Sequence, residues 1–567
     1  MQSIMILGAG VMQQPAYHAA RRNGWYSIGV DRDPYGPAVT LADAFEQVDL
    51  ADPPGVLAVA ERYHGDGRLD AVFTAGTDFS STVAYVGERL GLPGIPYDTA
   101  LRATDKALMR ECFRDAGVPS PRFRTIKEAG SLEDSARRVL EDFELPFVIK
   151  PVDNMGARGV QLVQHPRQAR AALETAMAFS RTRRAIAEEL IPGCEYSVDA
   201  LVFNGEVTIT GVADRHIHFA PYFIEMGHTI PAALGSAELQ ELIAVFERGV
   251  RALGITHGAA KGDVFYGRNG AMVGEIAARL SGGYMSGWTY PLCSGVELTE
   301  AAMRIALGQD PRELLNPRFQ RVSAERAVIS APGRVRRANK FASLRNRDGV
   351  AEVFQRVRTG DHVRFPRNNV EKCGNIIAVG DTRGEAVTSA LKAIRSIVIE
   401  LEPGNGETAA FLFGPQTPAA HHAFGLEDPC NRAALAAMPP LCGILENRGG
   451  RQRSDAKAPP SPVSGGNGRA RGSTAELKVL ALPHLEREHQ RDWRGLTPCE
   501  TIAELRRERS IAFVPGSSGE SALGGVFWRA FLIGGLQGAR YLIDTIEECE
   551  YEAVEREILS RYLPLYV

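Results

Sequence analysis

The residues best suited to chemistry fall in three stretches of the 567-residue chain. The first, Leu145-Pro146-Phe147-Val148-Ile149-Lys150-Pro151, is a buried-strand pattern ending in a lysine. Burial makes an ammonium costly unless an anion meets it, and a phosphate is one such anion; an ordinary lysine snorkelling from a strand end is the other reading. Gly156-Ala157-Arg158-Gly159 follows and offers backbone amides free of side chains, as a phosphate cradle or as a plain hairpin turn. The second stretch runs from Glu188 to Asp199. Adjacent Glu188 and Glu189 on a strand point to opposite faces, so only one can enter a site. Past the turn at Gly193, Glu195 lies inside an apolar strand, where an unpaired carboxylate is expensive. Taken singly, each of these carboxylates could equally be a surface salt bridge. In the third stretch, Lys261-Gly262-Asp263 and Met272-Val273-Gly274-Glu275 flank an Asn269-Gly270 turn. An antiparallel hairpin there brings Asp263 and Glu275 side by side, and paired like charges call for a cation; oxygen ligands suit magnesium. Arg279 has the parity of Glu275 and is placed to clamp a transferring phosphate.

These groups need elements to hold them. Residues 1–103 alternate short apolar runs with helical stretches, the βαβ rhythm of a Rossmann-like parallel-sheet domain. Gly8-Ala9-Gly10 and Asp31 echo a dinucleotide fingerprint, but Gln13 stands where the third glycine belongs, which favours a use other than nicotinamide binding. A second unit over 104–323 opens with the helix start Asp105-Lys106-Ala107, and Gly117-Val118-Pro119 closes that helix. Residues 324–413 read as a smaller α+β subdomain with a strand at Asn375–Gly380 and a helix after Arg383. The segment 414–473 turns to Pro, Gly, Arg and Ser, the composition of a disordered linker. Residues 474–567 return to helical periodicity with Trp493, Phe527, Trp528 and Tyr541, an added helical-rich domain of unknown role that could bind a partner. The expected fold class is multi-domain, α/β and α+β.

Lys+Arg of 65 against Asp+Glu of 68 leaves no general positive field, so nucleic acid is not an expected partner. The eight cysteines form no C-x-x-C pair, which fits a reduced cytoplasmic setting. Met1 to Gly8 reads as a first strand and not a signal peptide. The most apolar stretch, Val526 to Ile546, carries Arg529, Gln537 and Arg540, so no membrane span is expected. No G-x-x-x-x-G-K-[ST] occurs, which removes the commonest nucleotide-phosphate loop.

In order and in combination, the Asp105-Lys106 helix start, the strand ending at Lys150, the glycine loop, Glu188-Glu189-Leu190-Ile191-x-Gly193-x-Glu195 and the paired-acid hairpin resemble the ATP-grasp superfamily. That superfamily includes D-alanine:D-alanine ligase, biotin carboxylase and bacterial L-amino-acid ligases, and the resemblance to the last is greatest. It covers roughly Ser3 to Phe413. It implies an ATP-grasp fold with an N-terminal Rossmann-like domain, and ATP with Mg2+, or Mn2+ in its place. Carried across, it implies that Lys106 and Lys150 contact phosphates with the loop Gly156, Arg158 and Gly159. Glu188 and the backbone of Glu189 and Ile191 would read adenine, and Glu195 would hold the ribose. Asp263 and Glu275 would bind metal, and Arg279 would stabilise the phosphoryl and acyl-phosphate groups. The family's usual asparagine two positions after the second metal acid is here Ala277, which removes an oxygen ligand for a second magnesium. The segment around Glu225 and His228 is similar to the substrate-facing strand of the amino-acid ligases, and implies contacts there to an amine and to phosphate. His216 and His218 read as exposed loop histidines, not metal ligands.

The activity so implied is an ADP-forming carboxylate-amine (or thiol) ligase with an acyl-phosphate intermediate, acting on an amino acid or small peptide. Its expected partners are small molecules, with a homodimer as the assembly. An NAD-dependent oxidoreductase and a non-catalytic ATP-binding scaffold stay open as readings from other classes.

Overall fold

The computed structural model describes residues 1–127, 131–414, 423–424, 492–508, 521–549 and 558. Strands β1 (Ser3–Leu7), β2 (Tyr26–Asp31), β3 (Ala44–Gln47) and β4 (Ala71–Phe73) form a parallel sheet in the order β3-β2-β1-β4. Ile4 and Ile6 pack on one side with Tyr17, Met5 and Leu7 on the other with Val56, so β1 is apolar at successive positions instead of alternating. The turn after β1 is closed from within. Gln13 accepts from the Gly10 N–H at 3.0 Å and donates to the Ala75 carbonyl, while Asp31 accepts from the Ala9 N–H at 2.8 Å. The acid that would hold a nicotinamide ribose is thus spent on the chain's own turn.

Next come β5 (Phe123–Lys127), β6 (Phe147–Pro151), β7 (Gln161–Val163) and β8 (Arg184–Glu189), an antiparallel sheet in the order β5-β8-β6-β7. Helices Leu132–Asp142 and Ala169–Phe179 cover it through Val139, Leu173 and Phe147. This small two-layer unit carries the glycine loop at its rim.

The remaining strands are β9 (Cys194–Phe203), β10 (Glu206–His218), β11 (Ile224–Ile230), β12 (Gly258–Gly267), β13 (Gly270–Ala277), β14 (Val322–Val328), β15 (Gly333–Asn339), β16 (Val350–Gln355), β17 (His362–Val363), β18 (Gly374–Gly380) and β19 (Val398–Leu401). Eight of them make one sheet, β13-β12-β9-β10-β11-β14-β18-β16, and β17-β15-β19 form another. The large sheet runs straight across the boundary drawn near residue 323, since β14 pairs with β11 on one side and β18 on the other.

The expected linker, 414–473, lies outside the described residues except for Gly414 and residues 423–424. The tail is described through helices Pro498–Glu508 and Ser521–Glu548, the second interrupted at Gly535, whose φ of 56° suits glycine. Leu505, Phe527, Phe531 and Leu542 are buried in one core with Val335, Ile399, Leu412 and Phe413. Gln537 stitches this core, accepting from the Ala331 N–H at 2.9 Å and donating to Ser330 Oγ at 2.7 Å. The described tail therefore folds into the 324–413 unit. Among the described residues no helix is long and apolar enough to cross a membrane.

Candidate active site

A cleft of about 1470 Å³ opens between the N-terminal sheet, the small antiparallel unit and the large sheet. At its inner end, helix Lys106–Asp115 is capped by Asp105, which accepts from the Ala107 N–H at 2.8 Å. Lys106 and Arg110 then lie one turn apart on the same face. Lys106 Nζ is 3.4 Å from Glu275 and donates to the Asn154 carbonyl at 2.8 Å. Arg110, fully buried, pairs with Glu188 at 2.9 Å, and Lys150 Nζ reaches the same carboxylate at 2.6 Å. Burial pushes Glu188 up, but Arg110 and Lys150 outweigh it and hold the group below the usual carboxylate range. Burial likewise lowers Lys150 despite Glu188. The Glu188 carboxylate is shared between two cations and so positions Lys150. Glu189 turns outward to Arg122 at 3.0 Å, and its N–H is taken by the Arg122 carbonyl at 3.2 Å. Leu190 and Ile191 line the cleft beyond.

Gly156 and Arg158 line the cleft, and the Gly156 carbonyl accepts from the Asn369 N–H at 3.2 Å, which ties the loop across to the 324–413 unit. Gly159 has a different job. A Cβ there would lie 2.7 Å from Phe179, and its φ of +77° is left-handed, so it packs the loop onto the helix behind it.

The metal acids meet through a β-bulge. In the β12–β13 hairpin Val264 pairs with Val273 while Asp263 pairs with Glu275, leaving Gly274 as the extra residue. Without it Asp263 would face residue 274 and Glu275 would turn to the opposite side of the sheet. A side chain on Gly274 would strike the Phe265 ring at 2.6 Å, and Arg110 donates to its carbonyl at 2.5 Å. The hairpin expected from the Asn-Gly turn is present; its in-register acids depend on this bulge. Burial works against ionising Glu275, yet Lys106, Lys150, Lys261 and Arg279 together bring it to about 2. Ala277 lies on the same face, opposite Lys261, which pairs with Asp263. Arg279 is buried, lines the cleft, and donates to the Leu280 carbonyl at 3.0 Å.

Farther along the sheet, Arg215 on β10, absent from the sequence-derived site, is the hub. It pairs with Glu195, with Glu225 at 2.9 Å and with Asp263 at 2.5 Å. Burial raises Glu195 to about 7 against the pull of Arg215, with Asp263 adding to the rise. Glu225, though buried, is held well below the ordinary range by Arg215, His228 and Lys372. In register, Arg215 faces His228 and His228 faces Glu325, a cross-strand ladder over β10, β11 and β14. His228 does not reach the cleft. It is fully buried, with Nε2 2.9 Å from Thr289 Oγ1 and Nδ1 3.4 Å from Glu325, so it supports Glu225 from behind. Burial lowers its pKa, but the two carboxylates prevail and raise it. His216 lies in β10, half-buried and bonded to Thr229 at 3.1 Å, and not in a loop; His218 is exposed at the end of the same strand.

Residues 143–287, spanning the glycine loop through the paired acids, match the ATP-grasp domain family, and residues 326–402 match L-amino acid ligase C-terminal domain 2. The chain carries an ATP-grasp domain over that stretch. The chain is similar to carnosine synthase 1 of Gallus gallus, 27% identical over 448 residues, which are 74% of the chain and 46% of that protein. It thus spans about half the length of that curated relative. It is similar in structure to the L-amino acid ligase of Bacillus licheniformis, with TM-score 0.62 and 20% identity over 71% of this chain and 99% of that one. The biotin carboxylase domain of Hydrogenobacter thermophilus 2-oxoglutarate carboxylase, solved with MgADP, gives TM-score 0.57 and 15% identity over 74% of this chain and 95% of that domain. These likenesses establish the fold.

Proposed function

We propose that this chain is an ATP-dependent, ADP-forming ligase that joins a carboxylate to an amine, with an amino acid or small peptide as substrate. The observation that carries this reading is the in-register pair Asp263 and Glu275, facing a cleft whose other walls supply Lys106, Lys150 and Arg279. Among the described residues no three His, Cys, Asp or Glu are arranged to hold a metal ion, so a cation here would be held by two carboxylates and would complete its shell with phosphate oxygens and water. That donor set fits magnesium, which would neutralise charge on the phosphates. Lys106 and Lys150 bind phosphate oxygens. Arg279, which makes no ion pair with a carboxylate among the described residues, meets the γ-phosphoryl group and then the acyl phosphate.

A substrate carboxylate oxygen attacks the γ-phosphorus, the bond to the β-γ bridging oxygen breaks, and ADP leaves. The amine nitrogen then attacks the acyl carbon, phosphate departs, and the nitrogen gives up a proton. The unit 123–189, tied to the opposite wall through Gly156 and Asn369, excludes the water that would hydrolyse the acyl phosphate. Named relatives support the reading: a carnosine synthase by sequence and an L-amino acid ligase by fold. A cytoplasmic enzyme, homodimeric or with the tail as a partner-binding arm, is compatible with it. The test is phosphate release across a panel of amino acids, dipeptides and small dicarboxylates paired with amines, with the product mass measured. Release that needs both substrates and yields a condensed product is expected. No pair giving ADP above the ATP-only rate would overturn the reading.

A further inference from the structure

Four neighbouring positions of the β12–β13 hairpin line the cleft, and they are not alike. Asp263 pairs in register with Glu275, and two residues back along β12 Lys261 pairs with Ala277. Three of the four carry charge, and the fourth ends in a methyl group. The Lys261 side chain is 13% exposed, and among the described residues its one ion pair is with Asp263. Asp263 has more cations than it needs, because Arg215 meets it at 2.5 Å as well.

The two cations on Asp263 are not equally replaceable. Arg215 also holds Glu195 and Glu225. Lys261 has across from it on β9 only Asp199, which is buried, makes no ion pair with it, and accepts from the Ser281 N–H at 3.2 Å. A divalent ion drawn to Asp263 therefore leaves Arg215 held and releases Lys261. A triphosphate carries more negative charge than one divalent ion cancels, and the excess is met by a second ion or by cationic side chains. A second ion beside the first needs oxygen ligands on the same face. The next place along that face is the Lys261–Ala277 pair, which offers an ammonium and a methyl and no oxygen.

Building on the ligase reading above, we infer that the site takes a single divalent ion, between Asp263 and Glu275, and that the Lys261 ammonium meets the terminal phosphate oxygens where a second ion would otherwise stand. Metal binding and phosphate recognition are thereby coupled. While the acid pair is empty, Lys261 is occupied by Asp263; once a divalent ion takes Asp263, the ammonium is released to phosphate a short reach away.

The experiment needs no turnover. Bound Mn2+ is counted by electron paramagnetic resonance with a non-hydrolysable ATP analogue at saturation, and the affinities of that analogue and of ADP are compared by calorimetry. The wild-type protein is expected to hold one Mn2+ per nucleotide complex; two would overturn the inference. In K261M the preference for the triphosphate over ADP is expected to fall on the order of 10- to 100-fold, the range for a charge-assisted contact, and K261R keeps part of it. Mn2+ should bind the ADP complex of K261M at least as tightly as in the wild type, since a competitor for Asp263 is gone. A lysine that only props Asp263 would give the reverse, weaker Mn2+ with the preference intact, and would overturn the inference. So would an equal loss for both nucleotides. Combining K261A with A277N supplies an oxygen at the vacated place, and a second Mn2+ is expected there; a count still of one would show that Lys261 does not hold a cation's place. A chain that bound neither nucleotide would instead remove the ATP reading itself, so the two failures are distinguishable.

Discussion

The two ends of the large sheet treat charge in opposite ways. At the β12–β13 end, and on the helix and small unit facing it, nearly every buried ion already has a partner: Lys150 and Arg110 share Glu188, Lys106 takes Glu275, and Lys261 and Arg215 share Asp263. At the β18–β16 end, Lys372 is buried and makes no ion pair among the described residues, acting on Glu225 only at longer range. A nucleotide carries several negative charges and a metal, so it can trade partners within a dense network, each incoming phosphate replacing a carboxylate. Pre-pairing offsets the cost of burying so many ions at the first end, while the second end holds fewer of them and relies on aromatic packing.

The comparison can be broken at its charged end first. Glu275→Gln removes a metal acid without changing shape, and turnover should fall on the order of 10³-fold, read as ADP release under saturating ATP. Unchanged turnover would remove Glu275 from the chemistry. Glu188→Ala strands Arg110 and Lys150 together in a buried site, and should cost about 3–5 kcal/mol in a denaturant titration, the loss typical of breaking a buried pair. A cost under 1 kcal/mol would mean water reaches these cations, and that pairing does not hold this end.

Gly274→Val tests the bulge. Crowding against Phe265 should destabilise by about 1–3 kcal/mol, and turnover should drop with it because Glu275 loses its place opposite Asp263. Stability lost with turnover intact would show that the acids need not be in register. His216 gives a pH signature independent of the substrate. Burial first, then Arg326, His218 and His228, depress it to about 3 from an ordinary 6.5. The unfolded chain therefore binds a proton that the folded chain refuses. The stability His216 permits is whole above pH 6.5 and drains away as pH falls toward 3. His216→Gln should remove about 1–2 kcal/mol of acid sensitivity between pH 7 and pH 5, seen in paired melts. The smallest effect belongs to the exposed Arg122–Glu189 pair, where Arg122→Ala should change stability by about 0.5 kcal/mol, less in high salt.

How far the site could be read in advance depended on how local its causes were. The Asn269-Gly270 turn and the residues flanking it lie within one hairpin, so Asp263 and Glu275 could be paired from spacing. The bulge that makes the pairing true left its trace only as an unremarked Gly274. Arg110 had a local signal, its four-residue spacing from Lys106 on one helix. Glu325 and Asn375 had none, because they meet across strands 50 residues apart in the chain, and Arg215 reaches Asp263 only through the order of the strands in the sheet. The two cations that meet Glu188 could not be read from its own stretch, since they come from a helix 78 residues back and from a neighbouring strand.

What the sequence determined by itself was therefore periodic or short-range: the parallel N-terminal sheet, the strand ending in Lys150, the acid hairpin and the amphipathic tail helices. The tertiary structure decided which buried charges neutralise one another, that His228 backs Glu225 from outside the cleft, and that the described tail completes the 324–413 core. The physical reason is that hydrogen bonding and hydrophobic periodicity act between near neighbours and leave a repeating trace. Charge pairing in a desolvated cleft depends only on distance in space, and strand order in an eight-stranded sheet sets that distance.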